Sequence, residues 1–472
     1  MKQVRIIQML MAVVMVLALG SCSSDDLSDV ENQNGKQTVK MKFVGKVIGF
    51  DRQGLSKTKV QTRATSSSWN DGDKIYITFF NGSTIIPGEA TYSRASGWSV
   101  SYDGNLATGS NLKCEARYFV NATFSSSSLV SLNSNSEIYE DLKATYAYSN
   151  GSLTVTATLS PKTGRIRFTG KSGEKIYTTG ISVYTTFSPA INTFSTSNAM
   201  ITSTVASNGS TPYIYGSFTD NDRSLGLVGS DYAFTRTCTS SMLNVGESGY
   251  MAIPSESSHN NWRSGLYVKA SGVEFKMIPV AGYSGGFFLM AETETTEALY
   301  SSVYGGTSTS QLPIDNVSYP YVSTFIEKLN NETKLNFSLP SAEQWLYAAK
   351  GGNKTQGYTY AGSNTPGDVA WYSANCSSKQ TVKTKAPNEL GIYDMSGNVG
   401  EFVSTFYDGH YPYIYGGGYC SNVSYIEKTS NIHTCYNYNN GGYPGFGNNS
   451  YSYSSDACRS SGVGFRMILT CK

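Results

Sequence analysis

Apolar and polar residues alternate over short stretches through the first half of the chain, and helical spacing enters only in the second. Val39, Met41 and Phe43 are separated by Lys40 and Lys42, a period of two that predicts a half-buried strand. Behind the turn-forming Asn70-Asp71-Gly72-Asp73, the run Ile75, Ile77, Phe79 repeats the pattern. Leu153, Val155, Ala157 and Leu159 predict a further strand, and Ile166 with Phe168 opens another after Pro161 and Gly164. Ile181, Val183 and the stretch from Tyr213 to Phe218 carry the alternation to about Pro254. Short strands with Gly/Ser/Asn turns at this spacing predict one or two β-sandwiches.

The pattern changes near residue 266. Val322, Phe325, Ile326 and Leu329 stand at i, i+3, i+4 and i+7, which predicts a helix over about Pro320 to Leu329. Ser341 with Gln344 three residues on has the form of a capping box. The helix it opens carries Trp345, Leu346, Ala348 and Ala349, and Gly351-Gly352 suits its C-cap. The last sixty or so residues are dense in Tyr, Asn, Gly and Ser. These shifts place a domain boundary between about 256 and 268.

The N-terminus adds a destination. Lys2 and Arg5 precede an apolar run from Ile6 to Leu19, broken by Gln8 and closed by Gly20 and Ser21 before Cys22. A basic start, a short apolar stretch and small residues at the cut site make a secretory signal. The run is shorter than the ~20 residues a membrane span requires. Leu19-Gly20-Ser21-Cys22 resembles the lipobox of bacterial lipoproteins, which implies cleavage before Cys22 and its acylation. The following Ser23-Ser24-Asp25-Asp26 resembles the surface-export signal of Bacteroides-type lipoproteins, so an outer-membrane, surface-exposed precursor held by lipid is expected. From Asp25 to Thr38 the chain is polar and reads as a tether.

Charge is low and nearly balanced, at +2, which offers no electrostatic footprint for nucleic acid. Seven cysteines follow Cys22: Cys114, Cys238, Cys376, Cys420, Cys435, Cys458 and Cys471. An oxidising compartment permits disulfides, but an odd number leaves at least one thiol unpaired. Their spacings match no zinc pattern, and three histidines (His259, His410 and His433) argue against a histidine metal centre.

Gln61-Thr62-Arg63-Ala64-Thr65, Trp69 and the Asp71-Gly72-Asp73-Lys74-Ile75 entry to a strand resemble the fimbrillin family of Bacteroides-type pilins. The segment Tyr92 to Trp98 and the strands around Pro161 fit the same pattern, over roughly residues 38 to 255. The resemblance implies an arginine-specific cut between Arg63 and Ala64, loss of the strand Val39 to Val47, and a neighbouring pilin subunit's strand filling the groove left behind. The physical basis is strand addition, in which open ladder amides and apolar pockets accept an extended segment.

The second half carries an ordered set of motifs. They are Phe275-Lys276-Met277-Ile278-Pro279, Glu292-Thr293-Glu294-Thr295, Leu339-Pro340-Ser341-Ala342-Glu343-Gln344-Trp345, Asn388-Glu389-Leu390-Gly391-Ile392-Tyr393-Asp394-Met395-Ser396-Gly397-Asn398-Val399-Gly400-Glu401, Gly416-Gly417-Gly418 and Gly464-Phe465-Arg466. The set resembles the formylglycine-generating enzyme (sulfatase-modifying factor) family over about 268 to 470, which implies a C-type-lectin-like α+β domain. That family's oxidase holds copper with two thiolates five residues apart, since soft thiolates suit Cu(I). Here Cys420 stands at roughly the first position but Tyr425 at the second, so no copper and no catalysis are expected. The family's calcium loop implies a structural Ca²⁺ on Asp394 and Glu401 carboxylates and Gly397 and Val399 carbonyls, the hard oxygens that ion prefers.

Between Cys420 and Cys458 lie Tyr436, Tyr438, Asn439, Asn440, Tyr443, Asn448, Asn449, Tyr451 and Tyr453, resembling the variable region of retroelement-diversified proteins. Tyr offers rigid amphipathic area, and Asn, Ser and Gly offer adaptable hydrogen bonds, as in antibody loops. These nine are the expected ligand contacts, for a glycan or protein on a host or bacterial surface.

The expected organisation is mainly β: signal peptide 1–22, tether and pro-strand 23–63, fimbrillin-like β-sandwich region 64–256, and lectin-like α+β domain 268–472. The expected function is a fimbrial tip adhesin. Two alternatives stay open: a sulfatase-modifying-factor-type oxidase outside the cytoplasm, and an uncut surface lipoprotein that captures glycans.

Overall fold

A computed structural model of the chain describes residues 36–49, 63–64, 69–125, 129–218, 224–238, 243–253, 261–284, 286–407, 411–426, 433–434 and 462–471. The predicted first strand is present as β1 (Gln37–Val47), with Val39, Met41 and Val47 turned into the core. Five more follow: β2 (Arg63–Ala64), β3 (Lys74–Asn81), β4 (Thr84–Ser93), β5 (Gly97–Tyr102) and β6 (Gly109–Val120). The strands β3 to β6 pair antiparallel in the order β5-β4-β3-β6, and strands Thr145–Ser149 and Ser152–Pro161 continue the sheet.

The sheet then closes on itself through β1. On one side β1 runs antiparallel to β5, from Gln37 opposite Tyr102 to Met41 opposite Trp98. On the other it runs parallel to Ser152–Pro161, from Met41 opposite Leu153 to Val47 opposite Leu159. Closure removes the open edges that a sandwich leaves, so this module is a barrel-like sheet rather than two facing ones. Phe43, Trp69 and Trp98 pack inside it with ring centroids 5.1 to 5.9 Å apart.

Alternation in β3 is less clean than the sequence predicts, because Tyr76 and Thr78 are buried beside Ile75, Ile77 and Phe79. The outer face is covered: Tyr76 meets Phe119 and Phe187, the latter in the strand Ile181–Ser188. That strand belongs to a second module, where two sheets face each other across Ile166, Phe168, Ile176, Ile214, Leu225 and Leu227. Here a sandwich is present.

The chain leaves this sandwich through Arg263–Ser264, which still pairs with Phe234 and Thr235, and enters a new sheet at Leu266. That sheet runs in the order Leu266–Ala270, Val273–Tyr283, Gly286–Ala291, Ile468–Leu469, Phe337–Ser338, so the last residues close what the domain's first residues begin. Helices α1 (Glu297–Val303), α2 (Tyr319–Thr333) and α3 (Ala342–Ala349) surround it, with the short α4 (Pro366–Val369) further on. The capping box of α3 is made as expected, Ser341 accepting from the Gln344 amide and Gln344 from that of Ser341. Neither α1 nor α4 was expected, and α2 runs four residues beyond Leu329. A second sheet contains His433–Thr434, Tyr411–Tyr415, Gly400–Tyr407 and Val463–Gly464.

Candidate functional site

The strand Gly400–Tyr407 and the C-terminal stretch around Gly464-Phe465-Arg466 meet at a buried ion pair. Glu401 and Arg466 are both fully buried. Arg466 donates from Nε to Glu401 Oε1 (2.9 Å) and Oε2 (2.7 Å), and from Nη2 to Oε1 (2.5 Å). Its other donors reach the carbonyls of Ala291 (3.3 Å) and Tyr393 (2.9 Å). Trp345, delivered by α3, donates its indole N–H to Glu401 Oε2 at 2.6 Å. A buried pair satisfied in this way survives because each desolvated group has partners.

The loop before Glu401 is tied to Glu294 from the entry to α1. Glu294 Oε1 accepts from the Val399 amide (2.9 Å) and Oε2 from Asn398 Nδ2 (2.8 Å). Burial pushes the Glu294 carboxyl well above the usual carboxylate range, with Asp394 and Glu401 adding to the effect. Asp394 is also buried and is pushed up to about 6 by that burial, although its Oδ2 accepts from the Lys383 amide at 2.7 Å. Gly397 is required at its position: φ is +80°, and a Cβ there would lie 2.2 Å from the Trp371 carbonyl oxygen.

Of the four residues expected to hold calcium, Asp394, Gly397 and Val399 sit in this loop and Glu401 in the strand that follows it, where both of its oxygens already accept hydrogen bonds. Arg466 and Trp345 take both of its oxygens. Among the described residues, no three His, Cys, Asp or Glu side chains converge to hold a metal.

Above it, the Gly416-Gly417-Gly418 turn has Gly417 at φ +65°, where a Cβ would meet the Tyr425 carbonyl at 2.5 Å. Ile426 then buries beside Tyr360, Val369 and Ala370. At Gly462 the chain is fixed again: its carbonyl accepts from the Gly400 amide (2.8 Å) and its amide donates to Asp315 Oδ2 (2.9 Å). Both ends of the segment between Ile426 and Gly462 are thus anchored in the C-terminal domain. The nine Tyr and Asn residues expected to contact ligand lie outside the described residues, as does Cys22. Arg63 and Ala64 are described, paired with Val47 and Lys46 of the strand expected to depart.

Cys420 has company that spacing along the chain did not reveal. Cys376 Sγ lies 3.9 Å from the carbonyl of Tyr419, and the Ser373 amide donates to the Ser421 carbonyl at 3.1 Å. The Cys420 thiol is pushed up by burial and by the nearby Cys376.

Fold and site together define a mainly β protein ending in an α+β domain closed around a buried carboxylate–guanidinium centre. That C-terminal half carries a Sulfatase-modifying factor enzyme 1-like domain, matched over residues 246–469. The chain is 36% identical over 121 residues to Chaperone protein LppX of Paenibacillus barcinonensis, a match covering 21% of this chain and 43% of that protein. It thus spans less than half the length of that curated relative. Among solved structures, Treponema denticola variable protein 1 is similar at 22% identity and TM-score 0.34, over 43% of this chain and 98% of that one. A fimbrial protein from Bacteroides ovatus is similar at 10% identity and TM-score 0.25, over 92% of this chain and 99% of that one.

Proposed function

We propose that this protein is a surface adhesin, exported as a lipoprotein acylated on Cys22 and assembled at the tip of a fimbrium. The observation that carries the reading is the placement of β1. It is the strand that closes the barrel-like sheet, and the chain returns from it to the sheet through Arg63–Ala64. A cut after Arg63 separates β1 from everything it pairs with except by hydrogen bonds and packing. Its departure opens a groove whose walls are β5 and Ser152–Pro161, and an extended strand from a neighbouring subunit fits that groove.

A tip subunit accepts a strand and has no further subunit to cap, so its C-terminus is free to bind. The anchors at Ile426 and Gly462 support display of the Tyr/Asn-rich segment from a rigid base. Its ligand is a glycan or protein on a host or bacterial surface. Replacing Tyr436, Tyr438, Asn439, Asn440, Tyr443, Asn448, Asn449, Tyr451 and Tyr453 with Ala is expected to abolish cell binding while the thermal midpoint is kept. Unchanged adhesion by a folded variant refutes the assignment.

The proximity of Cys376 to Cys420 favours one second reading, an oxidase with a two-thiolate copper site. Copper loading or peptide oxidation lost in both Cys420→Ser and Cys376→Ser would establish it. The adhesin reading expects neither activity in the unaltered protein.

A further inference from the structure

The outward face of the second module carries a ladder of arginines and tyrosines that neither strand exchange nor the Tyr/Asn-rich segment uses. In the strand Gly164–Thr169, Arg165 and Arg167 alternate with Ile166 and Phe168, which are buried in the core. On the strand Ser248–Ala252, Ser248 stands opposite Arg165 and Tyr250 opposite Arg167. On the other side Tyr215 stands opposite Arg165, with Tyr213 two residues before it. Residues two apart share a face of a sheet, so these side chains meet. The Arg165 guanidinium lies 4.2 Å from the centre of the Tyr213 ring. That of Arg167 lies 4.8 Å from the same ring and 5.3 Å from the Tyr250 ring.

The two arginines differ in what answers their charge. Arg165 donates from Nε to Ser248 Oγ (2.7 Å) and from Nη1 to Tyr215 Oη (3.5 Å), and the Tyr215 hydroxyl donates on to Glu137 Oε1 at 2.8 Å. Arg167 makes no hydrogen bond or ion pair with any described residue; its Nε is buried without a partner, while its Nη atoms stay open to solvent. Glu247 does not reach it: in register with the core-facing Met251, it accepts from Asn244 Nδ2 at 3.4 Å instead. A guanidinium is a planar fork that fits a carboxylate through two parallel hydrogen bonds. Two rings hold this fork at the surface, and Tyr250 is 56% exposed. Neither the Tyr213 nor the Tyr250 hydroxyl has a partner among the described residues. The site is an open sheet face, so a small ion would remain largely solvated there, whereas an extended chain of sugar rings can cover it. We propose that this face binds a carboxylated polysaccharide. A uronate carboxylate accepts from the Arg167 fork, and the adjoining sugar ring lies on Tyr250, with its hydroxyls bonding the two phenols.

Isothermal titration of the full exported chain with polygalacturonate tests the assignment. Saturable binding with Kd roughly 0.1 mM is expected, because one charged fork and one or two rings make a small contact. The methyl-esterified polymer, whose carboxylates are neutral, is expected to bind about tenfold more weakly. Arg167→Gln is expected to weaken polygalacturonate by about tenfold, and Arg167→Lys, which keeps the charge but loses the fork, by roughly threefold. Tyr250→Ala removes an exposed ring, so the thermal midpoint is kept while binding weakens roughly threefold or more. The variant with the nine Tyr and Asn residues replaced is expected to bind as the unaltered chain does. Absence of saturation by about 2 mM galacturonate units, well above that Kd, overturns the proposal. Unchanged binding in both Arg167→Gln and Tyr250→Ala does so too, as does loss of binding in the nine-residue variant. Tighter binding of dextran sulfate that is lost in Arg167→Gln would assign the face to sulfate groups and overturn the carboxylate reading.

Discussion

The two ends of this molecule solve the problem of closure in opposite ways. The N-terminal sheet is closed by a strand near the start of the chain, joined to its neighbours by ladder hydrogen bonds and by the packing of Val39, Met41, Phe43 and Val47. The C-terminal domain is closed by its last residues, and at the centre of that closure Arg466 is locked to Glu401 and two carbonyls, with Trp345 donating to the same carboxylate. Ladder contacts and apolar packing can be made equally well by another extended strand. A buried, fully bonded ion pair has no such substitute, because losing one partner strands a charge. On the strand-addition reading proposed above, the contrast separates a part suited to exchange a segment from a part that holds its shape.

The largest expected effect breaks the second kind of closure. Arg466→Met leaves Glu401 buried without its cation and is expected to destabilise the C-terminal domain by about 3–5 kcal/mol. Denaturant unfolding followed by tryptophan fluorescence checks it, and combining Arg466→Met with Glu401→Gln is expected to recover part of the loss. Next comes the closing strand β1. Met41→Ala, at a 6% exposed position, is expected to cost about 2–3 kcal/mol in the uncut protein. It should cost nothing in material cut after Arg63 from which β1 has departed, which sharpens the comparison.

Smaller effects follow from Asp394. Its folded-state pKa of about 6 lies above the unfolded value, so its contribution is fully present below the unfolded pKa and is lost as pH rises through about 6. The C-terminal domain is therefore expected to unfold at lower temperature at pH 7.5 than at pH 5. Asp394→Asn, which suits the left-handed φ of 58°, is expected to flatten that dependence and to stabilise at pH 7.5 by at most about 3 kcal/mol. The smallest expected effect is that of chelation. Glu401 is taken by Arg466, so EDTA is expected to leave the thermal midpoint in place. A midpoint that falls with EDTA and returns with Ca²⁺ would put calcium, not the guanidinium, at the clasp.

Local chemistry was legible in the sequence, and long-range partnership was not. The capping box of α3 lies within four residues and reads directly from Ser341 and Gln344. The core stripe of α2 follows from Val322, Phe325, Ile326 and Leu329, but its last turn depends on Asn330 bonding the backbone of Phe337 on both sides. Helix α1 spans seven residues, too few for a periodic signal, and is set by its Thr296 cap. Glu294 reaches Val399 and Cys376 approaches Cys420 only because the domain folds back on itself, so spacing rules searched in the wrong place. The motif Gly464-Phe465-Arg466 was visible as a resemblance, yet nothing local shows that its arginine would occupy the carboxylate expected for calcium.

N-terminal sequencing of protein recovered from shed fimbriae tests the central claim most directly. A sequence beginning at Ala64 is predicted, with Cys22 and β1 left behind. Assembled fibres whose subunit begins at an acylated Cys22 would contradict it, and would make the protein a permanently anchored lipoprotein with its barrel closed by its own first strand.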